Sequence, residues 1–121
     1  MGNKVTKTED SDEIILNNTY DDKILHEESV EILYSPEYDK KYSKCILYFC
    51  ENELKVITEK NKYIILYQKI VSWIHTGKYW GFKYIKNNKE LNFRFKVVNG
   101  YILSHKINEI VKDLQNYYKE L

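Results

Sequence analysis

The residues able to do covalent chemistry are few and scattered. His26, His75 and His105 lie far apart, with no spacing that would gather two of them on a metal ion. Cys45 and Cys50 stand five residues apart in a run that reads as a strand, so alternation sends their thiols to opposite faces. They can neither share a metal nor form a strain-free disulfide with each other, and they read as two buried thiols. Gly77 and Gly81 are isolated, which leaves no glycine-rich loop for a phosphate. The expectation is a protein that is not an enzyme, with no catalytic residue, no metal, no cofactor and no small-molecule substrate.

The informative motif is at the start. Met1-Gly2-Asn3-Lys4-Val5-Thr6 fits the M-G-x-x-x-[ST] signal for N-myristoylation, in which loss of Met1 frees the Gly2 amine. Gly2 is therefore the predicted lipidation site, and the membrane a predicted partner through the myristoyl group. One such chain holds a bilayer reversibly, with a constant of about 10⁴ M⁻¹, so stable attachment needs a second signal. No cysteine precedes Cys45 to take a palmitoyl group, and acids follow Lys4 and Lys7. The second signal must come from the folded domain or from a protein partner.

The elements that would position such a signal follow from periodicity. Residues 1–22 form an acidic tail with one apolar patch, Ile14-Ile15-Leu16, which either moves freely or docks on the domain. From residue 23 the pattern becomes that of short strands. Ile24-Leu25 and then Val30, Ile32 and Tyr34 alternate in a first strand that Ser35-Pro36 ends. Others cover 44–51, 54–58, 63–67, 70–75 and 79–86, and the seventh carries Leu91, Phe93, Phe95 and Val97 inward. The period then changes: Leu103, Ile107, Ile110, Leu114, Tyr117 and Leu121 make one stripe of an amphipathic helix of about five turns. Asn99 is its predicted N-cap, and Val98 with Leu103 has the spacing of a hydrophobic staple. Seven strands and a terminal helix match the pleckstrin-homology-like architecture. There, two orthogonal sheets form an open barrel or sandwich and the helix plugs one end. The predicted organisation is a tail, 1–22, and one mainly β domain, 23–121.

Composition bounds the partners. The 121 residues suffice for one core and not two, and the net charge is +1. Residues 1–41 carry five Lys against eleven Asp and Glu, a net of −6, and the rest carries +7. An acidic leading segment and the lone arginine, Arg94, argue against a nucleic-acid partner. No apolar run approaches the roughly 18 residues of a membrane span, and charged residues fill the place of a signal-peptide core. The chain is expected in the cytosol, or peripherally on the cytosolic face of an internal membrane.

In the loop 35–43 and at the following strand, Lys40, Lys41 and Lys44 could meet a lipid headgroup, where pleckstrin-homology domains often bind phosphoinositides. No arginine accompanies them, so they would act as point charges without bidentate geometry.

The MGN start, short acidic tail and domain of about 100 residues, with a Lys/Asn/Tyr-rich composition, resemble the apicomplexan inner membrane complex sub-compartment proteins. That resemblance implies an acylated pleckstrin-homology-fold module on flattened membrane sacs, using its fold for protein contacts after losing phosphoinositide binding. Family members often carry tail cysteines; this chain does not. Two functions follow: a non-catalytic scaffold or protein-interaction module of the inner membrane complex, or a sensor of phosphoinositide or phosphatidic-acid headgroups.

Overall fold

The structure, a computed structural model, describes residues 22–110. Gly2, the apolar patch 14–16 and the last predicted helical turns, from Leu114 on, lie outside the described residues.

The seven strands are β1 (Ile24–Tyr34), β2 (Lys44–Cys50), β3 (Glu53–Ile57), β4 (Lys62–Leu66), β5 (Ile70–His75), β6 (Tyr79–Lys86) and β7 (Lys89–Lys96). A short 3-10 turn, Tyr67–Lys69, joins β4 to β5, and helix α1 covers Gly100–Ile110. All neighbouring strands are antiparallel, in the order β4-β3-β2-β1-β7-β6-β5. The expected two sheets are thus one continuous sheet. The reason is the length of β1: Ile24 to Glu31 pairs with β2, and Glu31 to Tyr34 with β7. Register shifts at Ile24/His26 and at Ile32/Tyr34 interrupt both ladders, the kind of irregularity that bends a strand and sharpens its twist.

The sheet curls on one aromatic core. Alternate residues of each strand turn inward, which buries Leu47, Phe49, Leu54, Val56, Trp80, Phe82, Phe93 and Phe95. Phe49 on β2 meets the Trp80 ring of β6 edge-on at 5.7 Å, and Tyr63 on β4 meets Phe93 of β7 at 4.8 Å. These contacts join the two halves of the sheet face to face. Each such ring contributes about 2 kcal/mol by leaving water. The β6–β7 hairpin turns through Asn87 and Asn88 with φ of 54° and 63°. Two left-handed residues define the turn type whose twist suits a hairpin, and asparagine tolerates that region better than most residues.

Helix α1 begins where the sequence places it. The Asn99 side-chain oxygen accepts the N–H groups of Tyr101 at 3.0 Å and Ile102 at 3.1 Å, the predicted cap. Leu103 and Ile107 are buried against the core, with Ile110 partly so. The predicted staple is absent, because Val98 is 90% exposed. The chain enters the helix on backbone hydrogen bonds instead: Val97 N–H donates to Lys78 O at 2.9 Å and Gly100 N–H to Gly77 O at 3.0 Å. Those bonds bury Val97 and leave its neighbour in water. A Cβ at Gly100 would lie 2.1 Å from the Thr76 carbonyl oxygen and 2.4 Å from that of Tyr79, so glycine alone permits this approach. The strand order and the closing helix make this a pleckstrin-homology-like fold.

Candidate functional site

The β1–β2 connection carries the predicted lysines, and its shape is set by one carboxylate. Ser35, buried at the end of β1, donates its hydroxyl to Asp39 Oδ2 at 2.8 Å and accepts the Asp39 N–H at 2.8 Å. Three donors reach the same carboxylate from the β3–β4 side. Thr58 Oγ1 donates at 2.7 Å, Asn61 Nδ2 at 3.0 Å and Tyr63 Oη at 2.9 Å. Burial pushes the Asp39 pKa up, but the bonds from Thr58, Ser35, Tyr63 and Asn61 outweigh it and hold the carboxyl below its ordinary 3.8. Tyr63 is shifted the other way, by burial first and then by the adjacent Asp39. Burial also pushes the Cys45 thiol up to about 12, with the Asp39 charge adding to it, so this sulfur is a poor nucleophile.

The loop tip is held stiffly. Tyr42 N–H donates to Ile32 O at 2.6 Å, and Ser43 donates from both N–H and Oγ to Lys40 O, at 3.1 and 2.6 Å. Tyr38 and Tyr42 sit at φ of 55° and 67°, a costly region for bulky side chains. That cost is met by the network that fixes the backbone around Asp39. The result is display: Tyr38 is 81% exposed, Tyr34 touches it edge-on at 6.4 Å, and Tyr42 also faces water.

The predicted lysines share this region but do not converge. Lys40 and Lys41 stand exposed at the tip, and Lys41 Nζ lies 5.4 Å from the centre of the Tyr42 ring. Lys44 opens β2, where pairing sets it opposite Glu31. Glu31 is in turn the register partner of Lys96 on β7, so one acidic position stands between two lysine positions across the strands. They border an open groove of about 440 Å³ floored by Val30, Cys45 and Val97. The histidines remain dispersed: His26 meets Glu28 at 2.8 Å, His75 rests on the Tyr101 ring and His105 approaches Glu109 at 3.8 Å. No group of three metal-ligating side chains occurs among the described residues.

Sequence reasoning missed Asp39, Gly100 and the outward tyrosines. The Ser35…Asp39 spacing was a local turn signal. The other three partners of Asp39, however, stand 19 to 24 residues further on, beyond any local pattern.

No family model matches the chain, and no curated protein matches it. Among solved structures it is similar to inner membrane complex sub-compartment protein 3 from Toxoplasma gondii. Identity is 14% and the TM-score 0.49, over 74% of this chain and 77% of that one.

Proposed function

We propose that this chain is a non-catalytic, membrane-associated interaction module. It would be tethered by a myristoyl group on Gly2 and would contact the membrane interface through the tip of its β1–β2 loop. Residues 1–22 are the tether and 23–121 the domain. On the sequence resemblance, the membrane is the inner membrane complex and the partners are its proteins or the adjoining cytoskeleton.

The observation that carries this reading is Asp39. A headgroup seated between the β1–β2 and β3–β4 connections would be an anion placed against a fixed carboxylate. That carboxylate already takes donors from Ser35, Thr58, Asn61 and Tyr63. Lys44 stands apart from Lys40 and Lys41, opposite the acidic residue Glu31 in the β1–β2 register. What the loop presents outward is Tyr34, Tyr38 and Tyr42 with Lys40 and Lys41, an amphipathic set suited to the membrane–water interface. Such a surface adds the second contact that a single acyl chain needs, without choosing a headgroup.

The test is vesicle co-sedimentation of the full chain co-expressed with an N-myristoyl transferase. Gly2→Ala should move the protein from pellet to supernatant. With acylation intact, Tyr38→Ser/Tyr42→Ser should weaken partitioning about tenfold on all anionic vesicles alike, through lost apolar burial. Micromolar, headgroup-selective binding that survives physiological salt and is lost in Lys40→Ala/Lys41→Ala/Lys44→Ala would overturn this reading in favour of a sensor.

A further inference from the structure

The outward face of β2, β3 and β4 is not what a water-facing sheet normally shows. Antiparallel sheets with one solvated face alternate apolar inward and polar outward. Here the inward set is Leu47, Leu54, Val56 and Ile65, all buried. The outward set reads across the strands in rows: Ile46, Ile57 and Lys62; then Tyr48, Lys55 and Ile64; then Glu53 and Leu66. Ile64 is 56% exposed and Leu66 40%, with Ile46, Tyr48 and Ile57 half-buried beside them. Lys55 bonds to Glu53 at 3.8 Å, and its side chain is only 12% exposed although it points outward. The face is an apolar strip set with lysines.

We infer that the tail patch Ile14-Ile15-Leu16 docks on this strip. Glu9, Asp10, Asp12 and Glu13 would then lie toward Lys55 and Lys62. Three observations select that occupant. The first is where the described chain begins. Asp22 is clamped to the β2–β3 turn: its carboxylate accepts the Asn52 backbone N–H and, at 2.9 Å, the Asn52 side-chain amide. Glu53, next along, pairs with Leu66, so the tail leaves the domain beside the apolar strip.

The second is length. From Leu16 to Asp22 the chain can span about 20 Å when extended. Crossing from β2 to β4 takes about 10 Å, two strand spacings. The tripeptide reaches the strip with slack.

The third is complementarity. Within the tail, Ile14-Ile15-Leu16 is the apolar run, and it follows four acids in five residues. The strip offers branched side chains beside lysines. Docking there shortens the tether to residues 2–13, about 40 Å at full extension, and turns a fixed face of the domain toward the acyl group. This inference does not depend on acylation, because the docking surfaces are all protein.

The experiment uses the full, unacylated chain with a nitroxide on Ser11→Cys, where the buried Cys45 and Cys50 do not compete. Methyl spectra are recorded for Ile57, Ile64 and Leu66, with Leu103 and Ile107 as distant controls. Broadening should concentrate on the first three. In Ile14→Ser/Ile15→Ser/Leu16→Ser the docked population should fall about tenfold or more, since serine gains nothing by leaving water. No selective broadening at Ile57, Ile64 and Leu66 would overturn the inference. So would broadening that appears only between labelled and isotope-enriched chains in a mixture, which would assign the strip to a second copy.

Discussion

Where the β1–β2 connection meets the β3–β4 turn, one carboxylate collects hydrogen bonds from four side chains. Where helix α1 meets the β5–β6 turn, backbone lies against backbone at Gly100 and the His75 ring rests on that of Tyr101, with no carboxylate organising the contact among the described residues. Both regions join segments far apart in sequence, and both leave aromatic side chains in water: Tyr38 and Tyr42 in the first, Tyr79 and Tyr101 in the second. The first is held by charge-assisted hydrogen bonds, whose strength depends on protonation. The second is held by neutral backbone hydrogen bonds and a close approach that tolerates no added volume. The two should therefore fail under different insults.

The largest effect is expected at the closely packed region. Gly100→Ala places a methyl group within 2.1 Å of the Thr76 oxygen, and backbone on both sides cannot yield as a flexible side chain would. A loss of about 3 kcal/mol is expected, the upper part of the range for overpacking. Urea unfolding monitored by Trp80 and Trp73 fluorescence measures it. The loss should be equal at pH 7 and pH 4. A Gly100→Ala protein as stable as the wild type would show that the helix shifts freely on the turn.

Asp39→Asn is the matching insult to the charged region. The amide keeps one acceptor and directs two donors at hydroxyls that were donating. Ser35 and Thr58, both buried, then compete for the remaining oxygen. The expected loss is about 1.5 kcal/mol, the low end for charged hydrogen bonds because the carboxylate is only partly buried. Its sign with pH follows from linkage. The folded carboxyl titrates below its ordinary 3.8, so its contribution is complete above that value and disappears as pH falls through the lower folded value. Acid titration of wild type and Asp39→Asn should therefore converge below about pH 4, whereas Gly100→Ala and wild type should stay parallel. A constant gap between wild type and Asp39→Asn down to pH 2 would mean that the network is held by shape and not by charge.

These two regions also mark how far the sequence could be read. Strand alternation and the change of period at Leu103 were legible because each rests on neighbours a few residues apart. So were the seven strands, the helix and the inward set of β7. The joining of two expected sheets into one was not, since it depends on the last residues of β1 turning to pair with β7. The lysines of the first loop were visible as charges. The carboxylate that organises the loop was not, because three of its four partners come from another hairpin. Gly100 carried no local signal, and only the tertiary approach of Thr76 and Tyr79 explains it. Val98 failed as a staple for the same reason, because backbone bonds to Lys78 and Gly77 override the local spacing.

The smallest effect separates local from tertiary control at the start of α1. The Asn99 side chain satisfies two helix N–H groups that would otherwise face water, and the pair is exposed. Asn99→Ala should cost about 1 kcal/mol, the usual worth of a cap, with no dependence on pH between 5 and 8. The informative comparison is Asn99→Gly. Glycine at this position costs only a few tenths of a kcal/mol in ordinary helices, because solvent reaches the backbone more easily. Here the preceding segment is pinned by Val97 and Gly100 to the β5–β6 turn, so added backbone freedom has little folded-state use and mainly enlarges the unfolded ensemble. Asn99→Gly should therefore be nearly as harmful as Asn99→Ala in thermal unfolding. If the glycine variant instead retains most of the wild-type stability, the helix start is governed by its own cap and the tertiary clamp at Gly100 is secondary.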